Sequence, residues 1–270
     1  MTELMKGKRG LIMGVANDHS IAWGIAKTLS EHGAELAFTY QGEAFGKRTK
    51  PLAESVGSKL LLPCDVEDID SVDSVFDTLK KEWGSIDFLV HAIAFSDKSE
   101  LRGKYADTTR ENFSRTMLIS CFSFTEIAKR AAAIMPNGGS MVTLTYGGST
   151  KVMPNYNVMG VAKAALESSV RYLAVDYGEQ NIRVNAISAG PVRTLAGSGV
   201  SDARLMFNFQ KRNSPMCRTV SLEEIGGTGL YLLSGLSGGV TGEVHFVDSG
   251  YNIMSMPRLN ELKAQEVKAD

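Results

Sequence analysis

The chain has 270 residues, 43% of them apolar and 22% charged, enough for a large core and unlike a disordered polyelectrolyte. Its 29 basic and 30 acidic residues leave a net charge of −1, which argues against a nucleic-acid partner. Cys64, Cys121 and Cys217 lack metal-ligand spacing or a disulfide framework, and no apolar run resembles a signal peptide or a membrane span, so a metal-free, cytosolic protein without a membrane partner is expected.

Short apolar runs alternate with longer amphipathic stretches, the pattern of a parallel sheet covered by helices. Gly10–Met13 is predicted as the first strand and Ser20–His32 as a helix that Gly33 stops. Between them lies Gly14-x5-Ser20-Ile21. A glycine at a strand end permits close backbone approach to a pyrophosphate, and Ser20 is placed to cap the helix whose N–H groups face it. Gly24 is expected to let helix and strand pack closely. A Gly turn before a capped helix is common in proteins of every kind, so this loop alone is a weak sign.

Glu35–Thr39 is the second predicted strand, ending at Gln41, which can bond a ribose hydroxyl but cannot neutralise an extra phosphate. NADH is therefore favoured over NADPH, with Lys47 and Arg48 read as a solvated helical face. The helix Glu43–Val56 must be kinked or restarted by Pro51. Lys59–Leu62 is the third strand, followed by Cys64-Asp65-Val66, where Asp65 either accepts from an adenine amino group or is a turn residue. Ile69–Trp83 is a helix closed by Gly84. Phe88–Ala92 is a strand continuing into Ile93-Ala94-Phe95, small residues suited to run beside a cofactor, with His91 read as a core histidine.

Arg110–Met135 is predicted as one long helix, Ser140–Thr145 as a strand, and Asn155–Tyr177 as a second long helix. Tyr156 and Lys163, seven apart, would then share one helix face about two turns apart, and an ammonium near a phenol favours the phenolate and strengthens the phenol as a donor. Arg183–Ile187 leads through Gly190-Pro191 to Val192 and Thr194, placed to meet a nicotinamide carboxamide. The long segment at about 196–218 is expected to be a substrate lid, with Met206, Phe207 and Phe209 as an apolar face for an acyl chain. Leu222–Leu233 and Glu243–Val247 complete the pattern, and the polar tail at about 259–270 is expected to be frayed or exposed. The fold class expected is a single-domain, Rossmann-type α/β doubly wound sheet of about seven parallel strands with helices on both faces, spanning 1–270.

Gly14-x5-Ser20-Ile21-Ala22, Tyr146 with Tyr156 and Lys163, Asn185–Thr194 and Val247-Asp248-Ser249-Gly250 together make the chain similar to the bacterial enoyl-(acyl-carrier-protein) reductases of the short-chain dehydrogenase/reductase superfamily, over essentially its whole length. Most of that superfamily carries Tyr-x3-Lys and Gly-x3-Gly-x-Gly, whereas this chain has Tyr-x6-Lys and lacks the second pattern. The resemblance implies that Gly14, Ser20, Ile21, Gln41, Asp65, Val66, Ile93 and Lys163, with Val192, Arg193, Thr194, Leu195 and Ala196, line an NADH site. Ala94 stands where many relatives have glycine. Ser96, Tyr146, Tyr156, Met206 and Phe207 would meet the substrate, and Tyr146, Tyr156 and Lys163 would be catalytic. It further implies conjugate reduction of a trans-2-enoyl thioester, an acidic acyl carrier protein as partner, met by Arg204, Lys211 and Arg212 or leaving these as solvated lid surface, and a homotetramer. A ketone-reducing enzyme of the same superfamily and a non-catalytic dinucleotide sensor are the alternatives; Tyr-x6-Lys opposes the first, and the presence of both residues the second.

Overall fold

In a computed structural model, which describes residues 3–195 and 197–266, the strands are β1 (Arg9–Met13), β2 (Glu35–Tyr40), β3 (Leu60–Pro63), β4 (Phe88–His91), β5 (Gly139–Thr145), β6 (Ile182–Ala189) and β7 (Val244–Val247). They form one seven-stranded parallel sheet in the order β3-β2-β1-β4-β5-β6-β7. The order reverses between β1 and β4, where Met13 is level with His91, and a crevice opens there beyond the carboxyl ends of the strands. Being covered on both faces, the central strands are apolar without alternation, as β4 (Phe-Leu-Val-His) illustrates with every residue buried.

One face is packed by α3 (Ile69–Trp83), α5 (Ser123–Ala133) and α6 (Val158–Gly178), with Leu79, Phe124 and Leu166 fully buried. The other is packed by α1 (Ile21–Glu31) and α8 (Leu222–Leu233) around Ile25, Phe38, Phe88 and Leu232. Each such side chain contributes about 1.5–3 kcal/mol on burial. Gly24 serves a different contact from the one expected. A Cβ there would meet the Leu222 carbonyl at 2.8 Å, and one on Gly226 would meet the Gly24 carbonyl at 2.7 Å. The glycine therefore brings α1 against α8 rather than against the strand.

Three helix expectations are corrected. The stretch read as one helix over Arg110–Met135 is α4 (Arg110–Met117), a π turn over Leu118–Phe122, and α5. The wide turn sets Ser120 against the loop after β4, where its hydroxyl donates to the Phe95 carbonyl and accepts from the Phe95 N–H, both at 2.9 Å. Second, α2 (Gly42–Ser55) carries Pro51 within one helix, so of the two outcomes expected, a kink or a restart, the restart is overturned. Third, α6 begins at Val158, two residues beyond Tyr156, because Asn155 and Asn157 adopt positive φ (64° and 43°) that no helix accommodates.

The segment expected to be a lid contains a 3-10 turn (Gly197–Gly199) and α7 (Ala203–Asn213). Of the tail expected to be frayed or exposed, Leu259–Glu266 forms α9, with Leu259 75% exposed and Glu261 paired with Arg212 of α7 at 3.0 Å, while 267–270 lie outside the described residues.

Candidate active site

At the crevice, Gly14 has φ +95°, and a Cβ on it would lie 2.1 Å from the Ala92 carbonyl, so only glycine lets β1 turn here. Ser20 occupies the N-cap position of α1, as expected, but its hydroxyl does not cap the helix. It accepts from the Ala16 and Asn17 N–H groups at 3.0 and 3.1 Å and so closes the loop before it. The N–H groups at the start of α1, Ile21 foremost, are thereby left for the positive end of a helix dipole to present to an anion. Thr49 of α2, fully buried, donates to the Val15 carbonyl at 2.9 Å and fixes the same loop from the far side. A glycine cradle under a helix N-terminus fits a dinucleotide pyrophosphate.

The two residues picked from the ends of β2 and β3 meet each other. Gln41 Nε2 donates to Asp65 Oδ2 at 3.0 Å, while Asp65 Oδ1 accepts from the Glu67 N–H at 3.0 Å. Asp65 is thus a turn residue and a partner of Gln41 at once. Val66 is buried beside it. Lys47 is paired with Glu43 at 3.0 Å on an exposed helix face, so its charge is already engaged. The rim presents an amide and a carboxylate, which suits ribose hydroxyls and not an added phosphate.

The other end of the crevice is buried. Lys163 of α6, 5% exposed, donates from Nζ to the Leu144 carbonyl at 2.7 Å. One turn further along α6, Glu167 accepts from Thr145 Oγ1 at 2.6 Å. Two ionisable residues of one helix are therefore pinned to consecutive residues at the end of β5. Burial pulls the Lys163 ammonium down to about 8, with Cys121 and Glu167 opposing the fall. Lysine at about 8 is still charged at neutral pH.

Tyr146 follows β5 directly and Tyr156 lies in the turn before α6; their rings meet edge to face, centroids 5.1 Å apart at 74°. Cβ atoms on Gly148 and Gly160 would stand 2.5 and 3.7 Å from Tyr156 Cδ1, so the two glycines form the slot that seats its ring. Burial raises both phenols, and the Tyr146 ring raises Tyr156 further. Of the two effects expected of a nearby ammonium, a favoured phenolate and a strengthened donor, burial opposes the first. The Lys163 ammonium gives one of its three N–H donors to Leu144, Tyr156 precedes the helix, and burial favours its neutral form.

His91 lies beneath, 1% exposed, with Nδ1 against Thr143 Oγ1 and Nε2 against Ser123 Oγ, each at 3.0 Å. Burial, aided by the Lys163 charge, lowers it to about 3, so it is a neutral core histidine as the sequence reading has it. Ile93 packs against the core under α3 and α5. Ser96 is turned inward: it bonds Asn112 at 3.2 Å and accepts from Thr116 at 3.0 Å, which leaves its hydroxyl committed to the α4 contact.

After β6, the Thr194 N–H donates to the Val192 carbonyl at 2.8 Å in a tight turn, and the Thr194 hydroxyl accepts from the Gly197 N–H at 3.0 Å. The Arg193 guanidinium lies 5.1 Å from the Phe207 ring centre and so holds α7 to this turn. Leu195 is 40% exposed. Ala196 lies outside the described residues. Met206 and Phe207 sit on α7, half-buried, and α7 reaches the phenols through Gln210, whose Nε2 donates to the Tyr146 hydroxyl at 2.6 Å. Sequence reasoning passed over Gln210 and Glu167. Gln210 follows Met206 at i+4 on α7 and Glu167 follows Lys163 at i+4 on α6, spacings that put each on the inward face of its helix. The Leu144 carbonyl, being backbone, has no signature in the sequence.

A dinucleotide cradle after the first strand of a doubly wound sheet, with a buried lysine and paired tyrosines after the fifth, defines a nicotinamide-dependent reductase of the short-chain dehydrogenase/reductase type. The family model for enoyl-(acyl carrier protein) reductase matches residues 14–252. A protein of Rhizobium meliloti (strain 1021) named enoyl-(acyl-carrier-protein) reductase (NADH) 2 is 72% identical over 266 residues, 98% of this chain and 99% of its own. The crystal structure of FabI from Candidatus Liberibacter asiaticus is 65% identical with a TM-score of 0.94, covering 96% of this chain and 100% of that one. An enoyl-(acyl-carrier-protein) reductase of Anaplasma phagocytophilum, in complex with NAD, is 59% identical with a TM-score of 0.93 over 96% of this chain and 99% of that one. The chain belongs to the enoyl-(acyl-carrier-protein) reductase family.

Proposed function

We propose that this protein reduces the trans-2 double bond of enoyl thioesters borne on an acyl carrier protein, with NADH as reductant, in type II fatty-acid elongation. The observation that carries this reading is the pair of phenols, Tyr146 and Tyr156, meeting edge to face at the end of the sheet where the buried Lys163 holds the Leu144 carbonyl. Gly14, Ser20 and Ile21 would hold the pyrophosphate, Gln41, Asp65 and Val66 the adenosine, and Ile93, Lys163 and the 192–196 turn the nicotinamide half. Lys163 is already oriented by Leu144, so a ribose hydroxyl meets a charge that needs no reorganisation.

Bound there, NADH supplies hydride to the β-carbon of the enoyl group. Negative charge then gathers on the thioester oxygen, and the Tyr156 hydroxyl, held neutral by burial, donates to it as an oxyanion-hole group does. A proton taken up at the α-carbon completes the saturated thioester. Tyr146, Met206 and Phe207 wall the acyl side, with the 196–218 segment as lid and Ser96 supporting its floor through Asn112 and Thr116.

The same reading makes the enzyme a cytoplasmic homotetramer. Phe122, Tyr172 and Val175 expose apolar surface on the π turn and α6, and Phe246 does so on the edge strand β7. The carrier protein would approach over α7, where Arg204 and Lys211 are exposed while Arg212 is engaged by Glu261.

The test is NADH oxidation by the purified protein with a trans-2-enoyl thioester, beside NADPH and a 3-ketoacyl thioester, for the wild type and Tyr156→Phe. Enoyl-dependent oxidation of NADH is expected, with Tyr156→Phe lowering kcat roughly 100-fold at unchanged NADH affinity. Activity on the ketoacyl substrate alone sinks the reading, and full turnover by Tyr156→Phe removes that residue from it.

A further inference from the structure

The phenol of Tyr146 is tied to a residue that neither the cofactor loop nor the lysine–tyrosine pattern brings to notice. Gln210 stands on α7, 4% exposed, in the midst of the apolar stripe formed by Met206, Phe207 and Phe209. A carboxamide in such a place is costly unless its groups are paired. Its Nε2 donates to the Tyr146 hydroxyl at 2.6 Å, a short bond between two side chains 64 positions apart in sequence. A phenol has one proton to give and lone pairs to receive with. When the amide occupies the oxygen as a donor, the Tyr146 proton points away from α7, towards the space shared with Tyr156.

The bond also has a condition built into it. Helix α7 is seated by contacts at both ends. Asn155 Nδ2 donates to the Ser201 carbonyl at 3.1 Å and to Asp202 at 3.2 Å, and at the far end the Arg258 N–H donates to Asn213 Oδ1 at 2.8 Å. Asn155 belongs to the same turn as Tyr156, so the base of α7 and the second phenol share one anchor. Gln210 meets Tyr146 in this seated position, and a displaced α7 would carry the amide away from it.

We infer that Gln210 is a positioning residue for Tyr146, donating to the phenol oxygen when α7 is seated and thereby directing the Tyr146 proton to the acyl thioester side of the site. The inference rests on the proposed role of Tyr146 in the acyl site. It makes lid closure and orientation of a substrate-facing donor one event, so a substrate whose chain keeps α7 from seating meets a misdirected Tyr146.

Two substitutions separate this from mere packing. Gln210→Met keeps the bulk and removes the donor. Gln210→Glu keeps the shape but offers an acceptor, which draws the Tyr146 proton back towards α7. With a trans-2-enoyl thioester and NADH, Gln210→Met is expected to lower kcat/KM roughly 3- to 10-fold, the effect of one lost hydrogen bond, with Gln210→Glu losing more and NADH affinity unchanged. In a Tyr146→Phe background, Gln210→Met should change kcat/KM less than about two-fold, because the group it acts through is gone. An equal loss in both backgrounds, or none in the wild-type background, overturns the inference.

A second readout needs no turnover. In protein labelled with 13C at tyrosine Cζ, the Tyr146 resonance, assigned among eight tyrosines by its absence from Tyr146→Phe, should move on Gln210→Met. If it stays in place, the bond is refuted even when the enzyme is active. If it moves in a protein that reduces no enoyl thioester, the bond stands and the proposed reaction is what has failed.

Discussion

The two ends of the cofactor crevice are built on opposite principles. At the β2–β3 end, Gln41 and Asp65 meet on an exposed rim, satisfied by each other and by a backbone turn. At the β5 end, Lys163 and Glu167 are both more than nine-tenths buried and pinned to successive residues of one strand. An exposed amide–carboxylate contact costs little to assemble and returns little when broken. A buried ammonium carries a desolvation cost that folding must cover elsewhere, and in exchange the charge is fixed and unscreened. In the proposed reading the rim would select among cofactors through its amide and carboxylate, and the interior end would supply the field for the reaction.

The comparison breaks most readily at Lys163. Burial holds its folded-state value at about 8, against 10.5 for the free group. Below pH 8 both folded and unfolded chains carry this proton, and the full cost of burying the charge is present. Between about 8 and 10.5 the unfolded chain binds the extra proton, so stability from this group rises with pH there. Lys163→Met should therefore raise the melting temperature of the cofactor-free protein at pH 7 while weakening NADH binding roughly 10- to 100-fold. Calorimetry and NADH titration check both, and unchanged NADH affinity would end the proposed ribose contact.

His91 sharpens the same contrast from beneath. Its folded-state value of about 3 lies below the ordinary 6.5. As pH falls from 6.5 to about 3 the unfolded chain takes up one proton that the folded chain refuses, and stability drops by about 1.4 kcal/mol per pH unit on account of this residue. Urea midpoints measured from pH 7 to pH 4 should fall less steeply in His91→Gln than in the wild type. Parallel slopes would mean that the imidazole is charged in the fold. At the exposed end the smallest effect is expected: Gln41→Ala should change NADH affinity less than about five-fold and stability by less than about 0.5 kcal/mol. A loss as large as that of Lys163→Met would show that the rim, not the interior, holds the cofactor.

Much of the architecture was open to sequence reasoning because it follows from local pattern. Strand positions came within a residue or two, since a strand buried on both faces must be a continuous apolar run ended by a turn, and Gly84 closes α3 with φ 77° as a helix-stopping glycine should. Tyr146 and the Gly14 loop stand out because each follows a recognisable strand, and Tyr156 and Lys163 because of their spacing in the segment after β5.

The misses share a different cause. A side chain's hydrogen-bond partner depends on what other segments bring within about 3 Å. Ser20 had the right position for a cap, yet its hydroxyl found the Ala16 and Asn17 N–H groups first. Gly24 was credited to the strand, and its neighbour is α8, some 200 residues away in the chain. Spacing places Tyr156 on the helix of Lys163, and the positive φ of Asn155 and Asn157 takes it off.

The sequence by itself determined the parallel sheet, the place of the crevice and the residue types at its rim, because periodicity and turn chemistry act over a few residues. The tertiary structure alone decided that the Lys163 ammonium donates a hydrogen bond to the Leu144 carbonyl, that burial raises both phenols, and that Gln210 of α7 reaches Tyr146. Those outcomes depend on burial and on contacts between distant segments, and neither exists until the chain has folded.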